Sequence, residues 1–214
     1  MPHRQLAWLE YTLLFFGVPL LLSRPWGRAL PQAPEILLLA VAAPCTVWLR
    51  WRRRREGGFW RGDRSAEQRE LRRLLRRFGL AGFGIVALVL VAWPARLFDL
   101  PAERPGLWAL VLLTYPLSVW LQEVVFRAYF FARFRTIFPH RRRMILASAA
   151  AFGWVHLPYG NGVAITLAFA GGLFFAATYA RSRSLRLVFL EHTLYGSLIF
   201  TVGLGGFFLL HGAP

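Results

Sequence analysis

The sequence predicts an all-α fold, a polytopic transmembrane helix bundle, and three observations carry that prediction. Of the 214 residues, 57% are hydrophobic and only 17% are charged, whereas a soluble domain has about 45–50% apolar and about 25% charged residues. The charges are grouped between long apolar runs, as in integral membrane proteins. Because these runs are evenly spaced, we expect residues 1–214 to form a single integral membrane domain.

Apolar segments follow one another along the whole chain, and seven can be marked. They cover residues 7–23, 36–50, 79–98, 107–132, 144–157, 162–180 and 187–210. A spanning helix needs about 20 residues, and all but the second and fifth segments meet that length. Glu10 interrupts the first segment and no clear small-x-small cleavage site follows it, so we interpret it as a retained helix and expect about seven spans.

The arginines predict the orientation. All 26 basic residues are arginine, with twelve in 50–77, five in 133–143 and three in 181–186, whereas the connections on the opposite side hold four. By the positive-inside rule the N-terminus is predicted to be cytoplasmic. The formal charge of +16 is therefore explained by topology, and nucleic acid is not an expected partner.

The basic connection, residues 50–77, carries its own helical pattern. Ser65 and Gln68 form a capping box, and apolar side chains from Leu71 to Phe78 line one face while arginines cover the other. We expect this helix to lie on the inner membrane surface, in contact with anionic lipids, before it turns into the third span.

A few ionisable side chains fall inside apolar segments. Each costs about 2.5–3.5 kcal/mol at mid-bilayer, so such residues are usually paired or functional. Glu10 and His211 lie near segment ends, where an interfacial role is expected. The lone Cys45 excludes an intrachain disulfide and is expected to be inert and buried. The remaining five are concentrated in the last four segments and are Glu123, Arg127, His156, Glu191 and His192.

Glu123 and Arg127 are one helical turn apart, in the order that favours an i,i+4 pair and keeps the carboxylate ionised. Gln122 precedes them and points about 100° away, where it can share the same cavity. These residues support either a buried ion pair that locks two helices or a chemical site. For the histidines, the competing interpretations are an interfacial residue at His156 and a helix–helix hydrogen bond at His192.

Three short motifs follow one another within the predicted spans. They are QEVVFR at 122–127, FGWVH at 152–156 and HTLYG at 192–196. In order and in most of their spacing they resemble the CPBP family of intramembrane proteases. That family includes the CAAX-processing endopeptidases, bacteriocin-processing and immunity proteins, and the Abi group. Its pattern is E-E-x-x-x-R, F-x-x-x-H and H-x-x-x-N or a related polar residue, and the resemblance covers about residues 107–200.

Two positions depart from the family pattern. Gln122 stands where the resemblance implies the water-activating glutamate, and Gly196 stands where it implies a polar side chain. Either these duties have moved to Glu123 and to Tyr195 or Glu191, or the chain is inactive. Some bacterial branches, including the myxosortase-type enzymes, look tolerant of such changes, and the resemblance implies a bacterial inner-membrane protein.

The resemblance implies hydrolysis of a peptide bond in a membrane-embedded or lipid-modified protein or peptide, without a cofactor. Glu123, held ionised by Arg127, would activate water, and His156 and His192 would donate hydrogen bonds to the oxyanion. Alternatively, His156, His192 and a glutamate could bind zinc for the same reaction, although the H-E-x-x-H spacing of many zinc proteases is absent. Two functions of a different class also fit the polar residues: a small proton-coupled transporter, and an inactive membrane binding or immunity protein.

Overall fold

The computed structural model describes residues 2–25, 33–56 and 64–208, and the predicted all-α fold is confirmed over these ranges, which contain no strand. His211 lies outside the described residues. The helices are α1 Pro2–Thr12, α2 Val18–Leu22, α3 Ala33–Glu56, α4 Arg64–Ala92, α5 Asp99–Glu103, α6 Pro105–Glu123, α7 Phe130–Arg133, α8 Arg141–Trp154, α9 Gly162–Ser182 and α10 Leu185–Thr201.

Two π-helical segments join neighbouring helices into longer rods. Leu13–Gly17 joins α1 to α2, and Val124–Tyr129 joins α6 to α7. A π-helix inserts one extra residue per turn and is found mostly where a helix carries a functional side chain. The second of these segments contains Arg127.

Within the described residues, four helical segments are long and apolar enough to cross a bilayer: His3–Leu22, Glu67–Ala92, Pro105–Arg133 and Gly162–Ser182. The predicted fifth segment forms α8, only 14 residues long, and the seventh forms α10, 17 residues long. A helix as short as α8 suits a buried core position better than a full span. The count of seven spans and the cytoplasmic N-terminus stay predictions.

Large apolar side chains cover the outside of the bundle. Leu80, Phe83, Val91 and Leu113 have 72–84% of their surface exposed. Such side chains would be unfavourable in water but match a hydrocarbon solvent. The exterior therefore agrees with an integral membrane protein.

Helix α4 differs from the expectation for the basic connection. It runs without interruption from Arg64 to Ala92, about 43 Å, rather than turning from a surface helix into a span. No proline breaks it, and a buried carboxylate fixes its first half to the protein. Glu70 is 1% exposed, and its Oε1 accepts a hydrogen bond from Nε of Arg181 on α9 at 2.6 Å.

Glu10, expected at the interface, joins two rods. Its Oε2 accepts a hydrogen bond from Nε of Arg133 at 2.9 Å, and its Oε1 accepts one from the hydroxyl of Tyr129. Helix α1 is thereby fixed to the C-terminal end of the helical segment Pro105–Arg133, which carries the first motif. Cys45 is buried and free, as expected.

Caps and turns set where the helices of the C-terminal half begin. Pro105 opens α6, where its missing N–H is not needed. The Asn161 side chain accepts a hydrogen bond from the Ala164 amide at 2.8 Å at the start of α9. Ser184 does the same for the Leu187 amide at 3.4 Å, so that α10 starts two turns before His192.

Candidate active site

The structure brings the first and third motifs into direct contact. Glu123 ends α6 and has no exposed surface, and His192 lies on α10. The Nδ1 atom of His192 lies 2.8 Å from Oε1 of Glu123. Because an ionised carboxylate only accepts hydrogen bonds, Nδ1 of His192 carries the proton and donates it. In the neutral ring, Nε2 then holds the free lone pair.

Arg127 occupies the other side of the same carboxylate. Its Nε lies 3.3 Å from Oε2 of Glu123, and both side chains are completely buried. The predicted i,i+4 pair therefore exists, with His192 as an additional partner. A buried carboxylate needs such compensation, because an uncompensated charge in a low-dielectric interior is costly.

A hydroxyl that the sequence did not single out holds the guanidinium of Arg127. Nη1 of Arg127 donates to Oγ of Ser148 at 3.1 Å and to the Phe126 carbonyl at 3.1 Å. Ser148 is fully buried and donates to the same carbonyl at 2.8 Å. Its one sequence signal is that it is a lone hydroxyl in the alanine-rich stretch ASAAAFG of α8.

Aromatic rings fix the imidazole of His192 and the guanidinium of Arg127. The Phe175 ring stacks on His192 with centroids 4.4 Å apart and an interplanar angle of 22°. The Phe152 ring lies edge-on to His192 at 5.3 Å, and the Arg127 guanidinium sits 5.0 Å from the centroid of Phe152. These contacts hold both hydrogen-bonding partners of the carboxylate, the imidazole and the guanidinium, in one orientation.

His156 of the second motif follows the end of α8. Pro158 terminates the helix there, and Gly160 completes the turn with φ of 72°, a conformation that favours glycine. Nδ1 of His156 lies 2.7 Å from the Phe152 carbonyl, which can only accept, so its Nε2 holds the lone pair in the neutral ring. The Phe152 ring contacts His156 at 5.1 Å as well as His192.

Both histidines open onto one cavity of about 550 Å³. Gln122 and Tyr195 also line it, and most of its wall is apolar. Its size is in the range of pockets that enclose a small organic ligand or a few side chains. Glu123 and Arg127 are fully buried and stand behind this wall. A smaller cavity of about 130 Å³ shares Gln122 and His156 with the first.

Gln122 points its amide along α6. Its Nε2 donates to Oγ of Ser118 at 3.0 Å. As the sequence predicted, Gln122 and Glu123 face different directions, with the amide on the cavity and the carboxylate behind it.

Glu191 lies apart from this cluster. It is fully buried, but its Oε1 pairs with Nη2 of Arg77 on α4, and Arg77 also donates to Oγ1 of Thr178 at 2.7 Å. The adjacent Glu191 and His192 therefore serve different contacts, because neighbours on a helix point about 100° apart. Tyr195 reaches the cavity wall, whereas Glu191 bonds α10 to α4.

The space beside Gly196, where a side chain would lie, is occupied by a side chain from another helix. An added Cβ at Gly196 would lie 2.2 Å from both the hydroxyl and Cε1 of Tyr115 on α6. Tyr115 lines the cavity and contacts the His192 ring edge-on at 6.0 Å. The motif pattern could not indicate it, because Tyr115 lies outside all three motifs.

The alternative zinc site has no ligand set among the described residues, which contain no group of three or more His, Cys, Asp or Glu placed to hold a metal. Nδ1 of each cavity histidine is directed at a protein acceptor, Phe152 or Glu123.

Comparison with known proteins gives a match to one family model. The family model of the type II CAAX prenyl endopeptidase Rce1-like proteins matches residues 104–198, which include all three motifs. No curated protein and no solved structure matches the chain. The match supports a membrane protease in general and does not distinguish the Abi or myxosortase branches. Residues 104–198 are therefore similar to the Rce1-like CAAX endopeptidases, which is consistent with the resemblance of the three motifs to the CPBP proteases.

Proposed function

We propose that the chain is an intramembrane endopeptidase that hydrolyses a peptide bond of a membrane-embedded or lipid-modified protein or peptide, in the inner membrane of a bacterium. The observation that carries this proposal is the 2.8 Å hydrogen bond between Glu123 and His192, which joins two motifs at the wall of the cavity. In many hydrolases a buried carboxylate orients an imidazole, and the imidazole accepts the proton of the nucleophile.

The proton transfer is assigned to His192. Nε2 of His192 accepts a proton from a water molecule, and the water oxygen bonds to the carbonyl carbon of the scissile peptide. The tetrahedral intermediate then collapses, its C–N bond breaks, and the imidazolium returns the proton to the departing amine. General base catalysis of this kind contributes about 10²–10⁴-fold.

Glu123 acts through His192 in this mechanism. The resemblance assigned direct water activation to Glu123. In the structure, however, one of its oxygens accepts the hydrogen bond from His192, the other faces the Arg127 guanidinium, and the side chain has no exposed surface. From that position the carboxylate fixes the tautomer of His192 and stabilises the imidazolium that forms. Arg127 holds the carboxylate in place, so we treat Glu123 and Arg127 as positioning residues.

His156 supplies a second Nε2 lone pair on the same cavity. An acceptor there can accept a hydrogen bond from the other O–H of the attacking water and so orient the water oxygen toward the substrate. His192 and His156 therefore have unequal roles, because only His192 is backed by a carboxylate.

The lining of the cavity favours the binding of an apolar substrate. Its wall is mostly hydrophobic, and the helices around it expose apolar side chains to the surroundings. The name of the matched family refers to prenylated CAAX termini, which are lipid-modified peptide ends. A peptide that reaches the cavity from the bilayer, either as a transmembrane segment or through a lipid group, fits these properties.

The test uses the purified full-length chain in proteoliposomes with two kinds of peptide, a set of transmembrane peptides and a prenylated CAAX peptide. New peptide termini are identified by mass spectrometry. We expect cleavage by the wild type, loss of cleavage in His192→Ala, and retention in Gln68→Ala, a residue on the exposed face of α4. Equal amounts of new termini from wild type and His192→Ala would contradict the proposal.

One observation favours a second function, an inactive membrane binding or immunity protein. Gln122 places an amide, which cannot accept a proton at neutral pH, on the cavity wall at the position of the family glutamate. If the chain has this second function, the wild type produces no new termini but still retains one of the peptides in a pull-down from detergent.

A further inference from the structure

We propose that Tyr115 is a further catalytic residue, whose hydroxyl donates a hydrogen bond to the oxyanion of the tetrahedral intermediate; this inference rests on the proposed peptidase function. Nothing in the three motifs indicates Tyr115, which precedes the first motif by seven residues. The inference is carried by the cavity, by the orientation of the histidines and by the space above Gly196.

The histidine orientations leave the oxyanion without an imidazole donor. Nδ1 of His156 donates to the Phe152 carbonyl, and Nδ1 of His192 donates to Glu123. A neutral imidazole carries one hydrogen, so both rings present an acceptor at Nε2. The proton that Nε2 of His192 then takes from water goes to the departing amine and not to the oxyanion. Hydrolysis develops a negative charge on the carbonyl oxygen, and that charge must be met by a donor.

Tyr115 is placed to provide it. Its half-buried side chain lines the same cavity as the two histidines. Its ring packs edge-on against His192 at 6.0 Å and against Phe200 at 5.5 Å, contacts that restrict where the hydroxyl can be. A phenol O–H rotates about its C–O bond, so it can aim its hydrogen at an atom in the cavity.

The hydroxyl also occupies the space that a side chain at position 196 would take. The ideal Cβ of Gly196 lies 2.2 Å from the Tyr115 hydroxyl oxygen, far inside any allowed contact. Position 196 follows His192 by one helical turn, so a side chain there would lie on the face of α10 that carries the imidazole. A phenol from α6 therefore fills the place of a side chain from α10, and the glycine is what makes room for it.

The donor forms no covalent bond and transfers no proton. The O–H of Tyr115 strengthens its hydrogen bond as the carbonyl oxygen becomes negative, and weakens it again when the C–N bond breaks. The proton of the attacking water still passes to His192. Tyr115 therefore affects the height of the barrier and leaves the proton path unchanged.

The first test is Tyr115→Phe, which keeps the ring contacts and removes only the hydroxyl. The reporter is the peptide that the wild type cleaves fastest in the proteoliposome assay. We expect kcat to fall about 10²–10³-fold with little change in KM, because the interaction exists mainly in the transition state. A variant with kcat within about threefold of the wild type would overturn the inference.

The second test exchanges the two positions. Gly196→Asn alone should lose cleavage and thermal stability, because its Cβ would collide with Tyr115. Tyr115→Ala alone opens the space but removes the donor. The double variant Tyr115→Ala/Gly196→Asn places an amide N–H in that space, and we expect it to cleave at least about tenfold faster than Tyr115→Ala. Equal rates for these two variants, with equal melting temperatures, would count against a hydrogen-bond donor acting from that space.

The outcomes separate the two proposals. If the wild type and His192→Ala are equally inactive on every peptide, the peptidase proposal fails and the inference fails with it. If the wild type is active and Tyr115→Phe retains its kcat, the peptidase proposal stands and only the role of Tyr115 is overturned.

Discussion

Replacing Glu123 by Gln removes one negative charge and keeps the shape of the side chain. In the wild type, Oε2 lies 3.3 Å from Nε of Arg127 and Oε1 accepts a hydrogen bond from Nδ1–H of His192. The amide of a glutamine would direct its oxygen at the guanidinium and its NH₂ at His192. Nδ1 of His192 would then have to accept a hydrogen bond, and its proton would move to Nε2, so His192 would present no lone pair to the cavity.

The size of the effect follows from the burial of the pair. Two unit charges 3.3 Å apart attract by about 5 kcal/mol at an effective dielectric constant of about 20. Breaking a buried pair by removal of one partner costs about 3–5 kcal/mol, which is consistent with that value. A change of tautomer at a carboxylate–histidine pair lowers kcat by about 10⁴-fold. Glu123→Gln should therefore be less stable and nearly inactive.

The assay combines cleavage of the reporter peptide, thermal unfolding, and ¹⁵N NMR of the histidine rings to identify the protonated nitrogen. The matched control is Glu191→Gln, which breaks a buried carboxylate–arginine pair with Arg77 one residue from His192. We expect this control to lose stability while its cleavage rate stays close to that of the wild type. Arg77 is partly exposed, whereas Arg127 is fully buried. Glu191→Gln should therefore lose less stability than Glu123→Gln.

The reasoning is refuted if folded Glu123→Gln cleaves within about tenfold of the wild type, since the proposed pair requires the carboxylate charge. It is also refuted if the ¹⁵N spectrum shows Nδ1 of His192 still protonated in a variant that has lost activity. Equal losses of activity in both variants would indicate that stability alone controls the rate.

Three further substitutions test the supporting contacts. Ser148→Ala removes a hydrogen bond to the Arg127 guanidinium and should cost about 1.5–3 kcal/mol in thermal unfolding; an unchanged melting temperature would argue against that bond. Glu70→Gln loosens α4 from Arg181 and should cost about 1–3 kcal/mol without lowering kcat; a loss of kcat would place α4 in the mechanism. Gly153→Ala puts a Cβ 2.9 Å from a side-chain atom of α9 and should destabilise by about 1–3 kcal/mol; a stabilised variant would contradict the close α8–α9 contact.

The contact between Glu123 and Arg127 could be predicted from the sequence because ionisable residues are rare in segments that lie in lipid. Glu123 and Arg127 stand out in an apolar segment, and their spacing on one helix predicts their contact. The partnership of Glu123 with His192 spans 69 residues of chain and depends on how α10 packs against α6. The motif order indicated that these helices meet, and the structure specifies which atoms meet.

The uncharged part of the site could not be predicted. Tyr115, Phe175 and Ser148 are ordinary residues of apolar helices, and only tertiary packing gives them a role. The helix lengths could not be predicted from the sequence either, because an apolar pattern does not distinguish a spanning helix from a buried one. The short α8 is the example: it has 14 residues and packs against α9 at Gly153.

The central claim is tested most directly by an experimental structure of the full-length chain with a phosphinate peptide, a stable mimic of the tetrahedral intermediate. The account predicts the phosphorus in the 550 Å³ cavity, with one phosphinate oxygen about 2.6–3.2 Å from Nε2 of His192 and the other within hydrogen-bond distance of the Tyr115 hydroxyl. A phosphinate bound outside this cavity, or one inside it with His192 turned away from Glu123, would contradict the account.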